Sequence, residues 1–241
     1  MSYKLLPKIE LHIHLDCSLS YNVVKKLRPE ITIQEYNQNF KAGASSYSLN
    51  HYLQCADNAI SLMQTKESLE LVLEDFFYQL IEDNVIYCEI RFAPLLHIEK
   101  SLNSMEVVDI LCKKMNVLSK KTGIITGLIL CTLRHYSKSQ SMETVKLVNE
   151  FYDEGVVGFD IAADEAGFPI DSHISAFEYA QNNNLNCTAH AGEAMGAESV
   201  WETINKLKPK RIGHGVRSIE DENLIDFIFE NNYHLEVCPT S

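Results

Sequence analysis

Two histidines one residue apart, His12 and His14 in the string ELHIHLD, are the first sign of chemistry in this chain. On a strand, residues i and i+2 project to one face, so both imidazoles can reach a single divalent ion, and Zn²⁺ takes nitrogen ligands readily. Asp16 closes the same string, just past the expected strand end. A second string, TAHAGE at 188–193, supplies His190 and, beyond Gly192, Glu193. His190 can serve as a third ligand that leaves an open position for water, while the glycine permits a tight turn facing Glu193 back toward the ion as general acid or base. In the third string, IGHG at 212–215, His214 lies between Gly213 and Gly215. Glycines on both sides let the backbone crowd a ligand, and a histidine there could polarise or deprotonate a metal-bound water.

Each string also has a plainer reading. An HxH pair can fill a barrel end with hydrogen bonds, HAGE can be a helix N-terminus with its capping glutamate, and a lone histidine among glycines is often structural. What favours chemistry is coincidence, since all three strings fall at the ends of separate expected strands. Weaker candidates are Glu89 and Arg91 of CEIRFAP, expected as an internal ion pair on one strand face, and Asp160 and Asp164-Glu165, which bracket a strand end in FDIAADE. His51, His97, His135, His173 and His234 are expected at the surface or behind the site, and Trp201 in the core.

The elements that must position these groups alternate. Near-continuous apolar runs at 9–14, 85–93, 125–133, 156–162, 187–190, 211–216 and 234–238 read as strands buried on both faces of a parallel sheet. Between them, helical spacing recurs at 67–83, 104–121, 142–154, 171–183, 196–207 and 220–231, with turn signals at Gly123, Gly155 and the Asn182-Asn183-Asn184 cluster. This order predicts an α/β fold of the TIM-type (β/α)8 barrel class, one domain over 1–241, with about seven strands present. Residues 17–65 break the rhythm and are expected to carry extra helices, including 49–63. An insertion there, on the rim where barrel enzymes keep their sites, could form a lid.

With 46% hydrophobic and 22% charged residues the composition is that of a globular domain. A net charge of −12 argues against a nucleic-acid partner, whose binders carry a basic footprint, but not against an uncharged nucleoside. The longest apolar stretch, near 124–133, is too short for a membrane span. Seven scattered cysteines without a CxxC pair, behind an N-terminal MSYKLLPK that lacks an apolar leader, point to reduced thiols and a cytoplasmic setting.

Taken in order, ELHIHLD, QTKES, CEIRFAPLLH, FDIAADE, TAHAGE, RIGHG and HLEVCPTS resemble the adenosine deaminase family of metal-dependent amidohydrolases, over essentially the whole chain. The resemblance implies one Zn²⁺ held by His12, His14 and His190. It makes Glu193 the acid that protonates purine N1 and His214 the group that orients and activates water for attack at C6. Asp16 resembles the residue that contacts the ribose hydroxyl, and Ala163 stands where the family has a glycine whose N–H meets purine N3; His14 also faces the substrate. The implied reaction converts adenosine or 2′-deoxyadenosine to inosine or its deoxy form, plus ammonia, in purine salvage. Asp16 favours the nucleoside branch over adenine or methyl-AMP deaminases, although aminofutalosine deaminases share it.

Three departures qualify the resemblance. Cys17 replaces a glycine after HLD, and Ala163 adds a methyl group against the base. The family's eighth strand, with one aspartate for the metal and a neighbour for purine N7, does not occur before Ser241, so the expectation is a C-terminally incomplete member. The main rival is a deaminase-derived protein that binds without turnover. A metal-dependent nuclease, which can also open on HxHLD, is disfavoured by HAGE followed by GHG and by the negative charge.

Overall fold

The computed structural model describes residues 5–41 and 49–238, with the backbone alone for 49–54. It divides into two compact units, 1–128 with 153–156, and 129–152 with 157–241.

The first unit opens on β1 (Lys8–His14), continues through α1 (Tyr21–Leu27), α2 (Ile33–Asn39) and α3 (Leu49–Leu62), and reaches α4 (Lys66–Glu82) and β2 (Val85–Phe92). The expected extra helices in 17–65 are therefore α1, α2 and α3, while 42–48 and the side chain of His51 lie outside the described residues. β1 and β2 pair in parallel, Lys8 opposite Val85 and His14 opposite Arg91. A parallel return needs a crossover, and α4 provides its last leg. This helix buries Leu69, Val72, Leu73, Phe76, Phe77 and Leu80, an i, i+3, i+4, i+7 stripe. On its outer side Lys114 of α5 (Ser104–Thr122) bonds Glu74 and lies 3.8 Å from Glu70. Gly123, at φ 79°, ends α5 in the left-handed region, as its place after Thr122 predicted. The strand β3 (Ile125–Leu133) follows, its residues to 128 counted with this unit and the rest with the second.

In the second unit the order is α6 (Lys138–Glu150), β4 (Val156–Ala162), α7 (Ile174–Asn182), β5 (Thr188–Ala191), α8 (Ala197–Leu207), β6 (Arg211–His214), α9 (Glu222–Glu230) and β7 (His234–Glu236). β5, β6 and β7 are parallel neighbours, Thr188 opposite Arg211 and Arg211 opposite His234. Phe159 of β4 bridges in parallel to Cys187. Ala191, Val200, Ile204, Ile212, Leu224 and Ile228 form a core between the strands and α8 and α9.

Strand–helix alternation with parallel pairing is thus the architecture, and seven strands occur among the described residues. Three expectations need correction. Helix α6 begins a turn before 142, because Ser137 and Gln140 cap it reciprocally, and a short 3-10 turn replaces its expected end. The strand expected over 211–216 stops at His214, because Gly215 turns into the left-handed region at φ 66°. Trp201 is half-buried rather than core: its ring packs on Phe227 and its Nε1–H donates to Asp221 at 2.8 Å.

Candidate functional site

In the first unit, β1 carries His12 and His14 with ring centroids 5.5 Å apart, the shared face expected of i, i+2 residues. The chain then turns into a short 3-10 segment that buries Asp16. Its carboxylate accepts the Ala93 N–H at 3.3 Å and lies 4.0 Å from His97 Nε2. Burial pushes the Asp16 carboxyl up to about 6, against the pull of that backbone bond. His97 had been expected at the surface or behind the site, and it is fully buried. Its Nδ1–H donates to the Met63 carbonyl at 3.1 Å, at the end of α3, which leaves the lone pair on Nε2. Burial lowers its imidazole to about 4.

The second unit holds the remaining histidines of interest. His190, on β5, and His214, at the end of β6, lie with ring centroids 5.2 Å apart. Asp160, fully buried on β4, accepts from His190 Nδ1 through Oδ2 at 3.0 Å and Oδ1 at 3.2 Å. A carboxylate only accepts, so Nδ1 bears the proton and Nε2 the lone pair. The Cys131 thiol also donates to Asp160, at 3.6 Å. Glu193 faces the other imidazole, with Oε2 3.5 Å from His214 Nε2. His214 itself sits at φ 63°, a left-handed backbone that costs a non-glycine residue about 1–2 kcal/mol. Strain of this size persists where the surroundings over-determine it, and its place beside Glu193 makes the residue a functional candidate. Ala163, after β4, is also left-handed at φ 78°, a conformation that suits glycine and strains a residue with a Cβ.

The turn that presents Glu193 is organised by Glu165, one of the weaker sequence candidates, in a role that its string alone does not reveal. The buried Glu165 carboxylate accepts the N–H groups of Gly192 at 2.7 Å, Glu193 at 3.0 Å, Ala194 at 2.6 Å and Met195 at 3.0 Å, and the Ser199 hydroxyl at 2.5 Å. Burial opposes its charge, but these donors together outweigh it and hold the carboxyl below its ordinary range. Arg134 Nη2 lies 4.0 Å from Glu165 Oε1 and donates to the His190 carbonyl at 3.0 Å. His173, fully buried and so behind the site rather than at the surface, donates Nε2–H to the Arg134 carbonyl at 3.1 Å. The Glu89 carboxylate accepts from Tyr87, and Arg91 donates to the Leu11 carbonyl.

The donor chemistry suits a borderline divalent ion such as Zn²⁺. His190 presents its Nε2 lone pair with its other nitrogen fixed by a buried carboxylate, which orients a metal-binding imidazole and raises its basicity. All seven cysteines are free thiols, and no helix among the described residues is long and apolar enough to cross a membrane.

Residues 7–241 match the family model described as Adenosine deaminase. An adenosine deaminase of Clostridium acetobutylicum is 37% identical over 243 residues, an alignment that covers 98% of this chain and 72% of that relative. Among solved structures, an adenine deaminase from Arthrobacter aurescens superposes with a TM-score of 0.84 at 22% identity, covering 97% of this chain and 72% of the other. An amidohydrolase from Burkholderia ambifaria, solved with bound Zn, gives 0.86 at 21% identity, covering 97% and 65%. These two likenesses carry the fold, which is the TIM-type α/β class expected from the strand order.

Proposed function

The chain belongs to the adenosine deaminase family of aminohydrolases, and on that premise we propose that it deaminates adenosine or 2′-deoxyadenosine hydrolytically with the help of one Zn²⁺. The purine nucleoside and water become inosine, or its deoxy form, and ammonia. The observation that carries this reading is the pairing of two neighbouring imidazoles with two carboxylates of different duty: Asp160 on His190, and Glu193 on His214.

By the family's motifs, His12, His14 and His190 would hold the ion. When bound, zinc supplies a Lewis acid that lowers the pKa of water toward neutrality. Asp160 keeps His190 in the tautomer that can ligate. His214 takes a proton from the attacking water, and Glu193 holds a proton toward purine N1, so that electron density drawn onto the ring during attack at C6 is neutralised as it forms. The 3.5 Å between Glu193 and His214 lets the acid and the base work on one small substrate face. Asp16 would accept the ribose hydroxyl, with His14 lining the approach, and the Ala163 N–H would meet purine N3. A cytoplasmic setting fits the seven free thiols.

The test is ammonia release from adenosine, 2′-deoxyadenosine, adenine and aminofutalosine, by metal-stripped protein and by the same protein reloaded with zinc. Zinc-dependent turnover of the two adenosines, with adenine and aminofutalosine much slower, is expected. Stoichiometric zinc binding without ammonia from any of the four would overturn the proposal and leave a binding protein.

A further inference from the structure

Glu165 has no place in the chemistry just described, yet its buried carboxylate accepts five hydrogen bonds. Four consecutive backbone N–H groups, Gly192 to Met195, converge on it, and Ser199 of α8 adds a hydroxyl. A run of amides turned inward in this way is an anion-binding nest, and the N-terminus of α8 directly beyond it adds the favourable end of a helix dipole. Gly196, at the cap of α8, offers no side-chain acceptor, and Glu165 reaches the first turn of the helix through the Ser199 hydroxyl. Gly192 makes the nest possible: its φ is 68°, and a Cβ there would come within 2.6 Å of Val200.

Glu193 is a member of this nest. Its own N–H is bonded to Glu165 Oε2, so the carboxylate that organises the turn also fixes the backbone from which the Glu193 side chain reaches His214. Arg134 ties the same carboxylate to the His190 carbonyl, linking the turn to the strand end that carries the imidazole. Resting on the proposed deaminase reading, we infer that Glu165 is a positioning residue for Glu193, acting through the nest and never touching the substrate.

The nest distinguishes a carboxylate from its isosteres. A carboxylate offers about four lone-pair sites on two oxygens, and five donors use them. Glutamine keeps one oxygen and turns an NH₂ group against amides that themselves donate, while aspartate is one methylene too short. Positioning also differs from general stability in its arithmetic. If Glu165 works through Glu193, then removing Glu193 first makes the loss of Glu165 nearly silent, because residues that act as a unit are not additive.

The experiment is a cycle of Glu165→Gln, Glu193→Gln and the double variant, with kcat and KM for adenosine and bound zinc measured for each. Glu165→Gln is expected to lower kcat by about 30- to 100-fold with KM changed less than about threefold and zinc retained. The double variant should lie within about threefold of Glu193→Gln alone. Losses that multiply would overturn the inference. Amide hydrogen exchange gives a readout independent of turnover: in Glu165→Gln the amides of 192–195 should exchange at least about tenfold faster while those of β5 and β6 do not. Unchanged exchange at 192–195 would also overturn it. Should Glu165→Gln not fold, Ser199→Ala, which removes one of the five donors, replaces it in both arms, with a several-fold loss of kcat that disappears in the Glu193→Gln background. Wild-type protein that binds zinc but releases no ammonia refutes the deaminase reading, and the exchange arm then decides the nest by itself.

Discussion

Replacing Asp160 by asparagine tests whether the His190 imidazole is a metal ligand, because it changes charge and leaves volume almost untouched. The carboxylate is fully buried, with both oxygens 3.0 to 3.2 Å from His190 Nδ1 and the Cys131 thiol 3.6 Å away. In the variant one amide oxygen can still accept from Nδ1–H, so the ring keeps its orientation. It loses the negative charge that makes Nε2 more basic, and one of the two accepting oxygens becomes a donor. Changes to carboxylates behind a ligating histidine cost 10- to 100-fold in metal affinity or activity, or about 1.4 to 2.7 kcal/mol. Zinc titrated against a chelating dye should show that weakening in Kd. The same loss should reappear as stability, since each tenfold in Kd removes about 1.4 kcal/mol of the stabilisation given by saturating zinc. Without metal, wild type and variant should differ much less. A Kd within about twofold of wild type, in a variant with native circular dichroism, would refute the reasoning and return Asp160 to a structural role.

Other substitutions probe the backbone and the buried pair in the first unit. Gly192→Ala should destabilise the protein by about 2–4 kcal/mol in urea, combining left-handed strain with overpacking against Val200, and should lower kcat as the turn shifts; a loss under about 0.5 kcal/mol would remove the glycine from the argument. Ala163→Gly relieves the φ 78° strain but loosens the unfolded chain, so a net gain of up to about 1 kcal/mol is expected, and any clear loss would show that the methyl packs favourably. His97 is lowered from 6.5 to about 4, so the unfolded chain binds its proton first and wild-type stability falls as pH drops through that window; Asp16, raised to about 6, acts in the opposite sense between 6 and 3.8. His97→Asn deletes only the first effect. Its stability relative to wild type should rise by about 2 kcal/mol from near pH 7 to near pH 5, and parallel pH profiles would sink the assignment.

What the sequence made legible was local. Apolar runs marked β3 and β4 to the residue, because strands buried on both faces need little else to announce them. The three histidine strings were visible for the same reason: HxH, HAGE and GHG each hold their geometry within a few residues. At the start of α6 the capping box of Ser137 and Gln140 outranks periodicity, so the helix opens at Lys138 rather than at 142. Asp160 and Glu165 stood out as candidates, but their partners did not, since each pairing depends on which strand ends lie side by side. Asp160 is 30 residues from His190, and Glu165 lies 27 residues from Gly192. A signal for Glu165 existed nonetheless. The turn of HAGE leaves several consecutive amides without helix or strand partners, and such donors must find an acceptor when buried. In a parallel α/β chain the nearest supplier is the loop after the preceding strand, where FDIAADE ends on two acids. Of these, Asp164 bonds within its own turn, to the N–H groups of Ala166 and Gly167, which leaves Glu165 as the acid able to reach the next loop. Counting the donors a glycine turn must satisfy therefore turns Glu165 from a candidate without a role into the acceptor for the Glu193 turn.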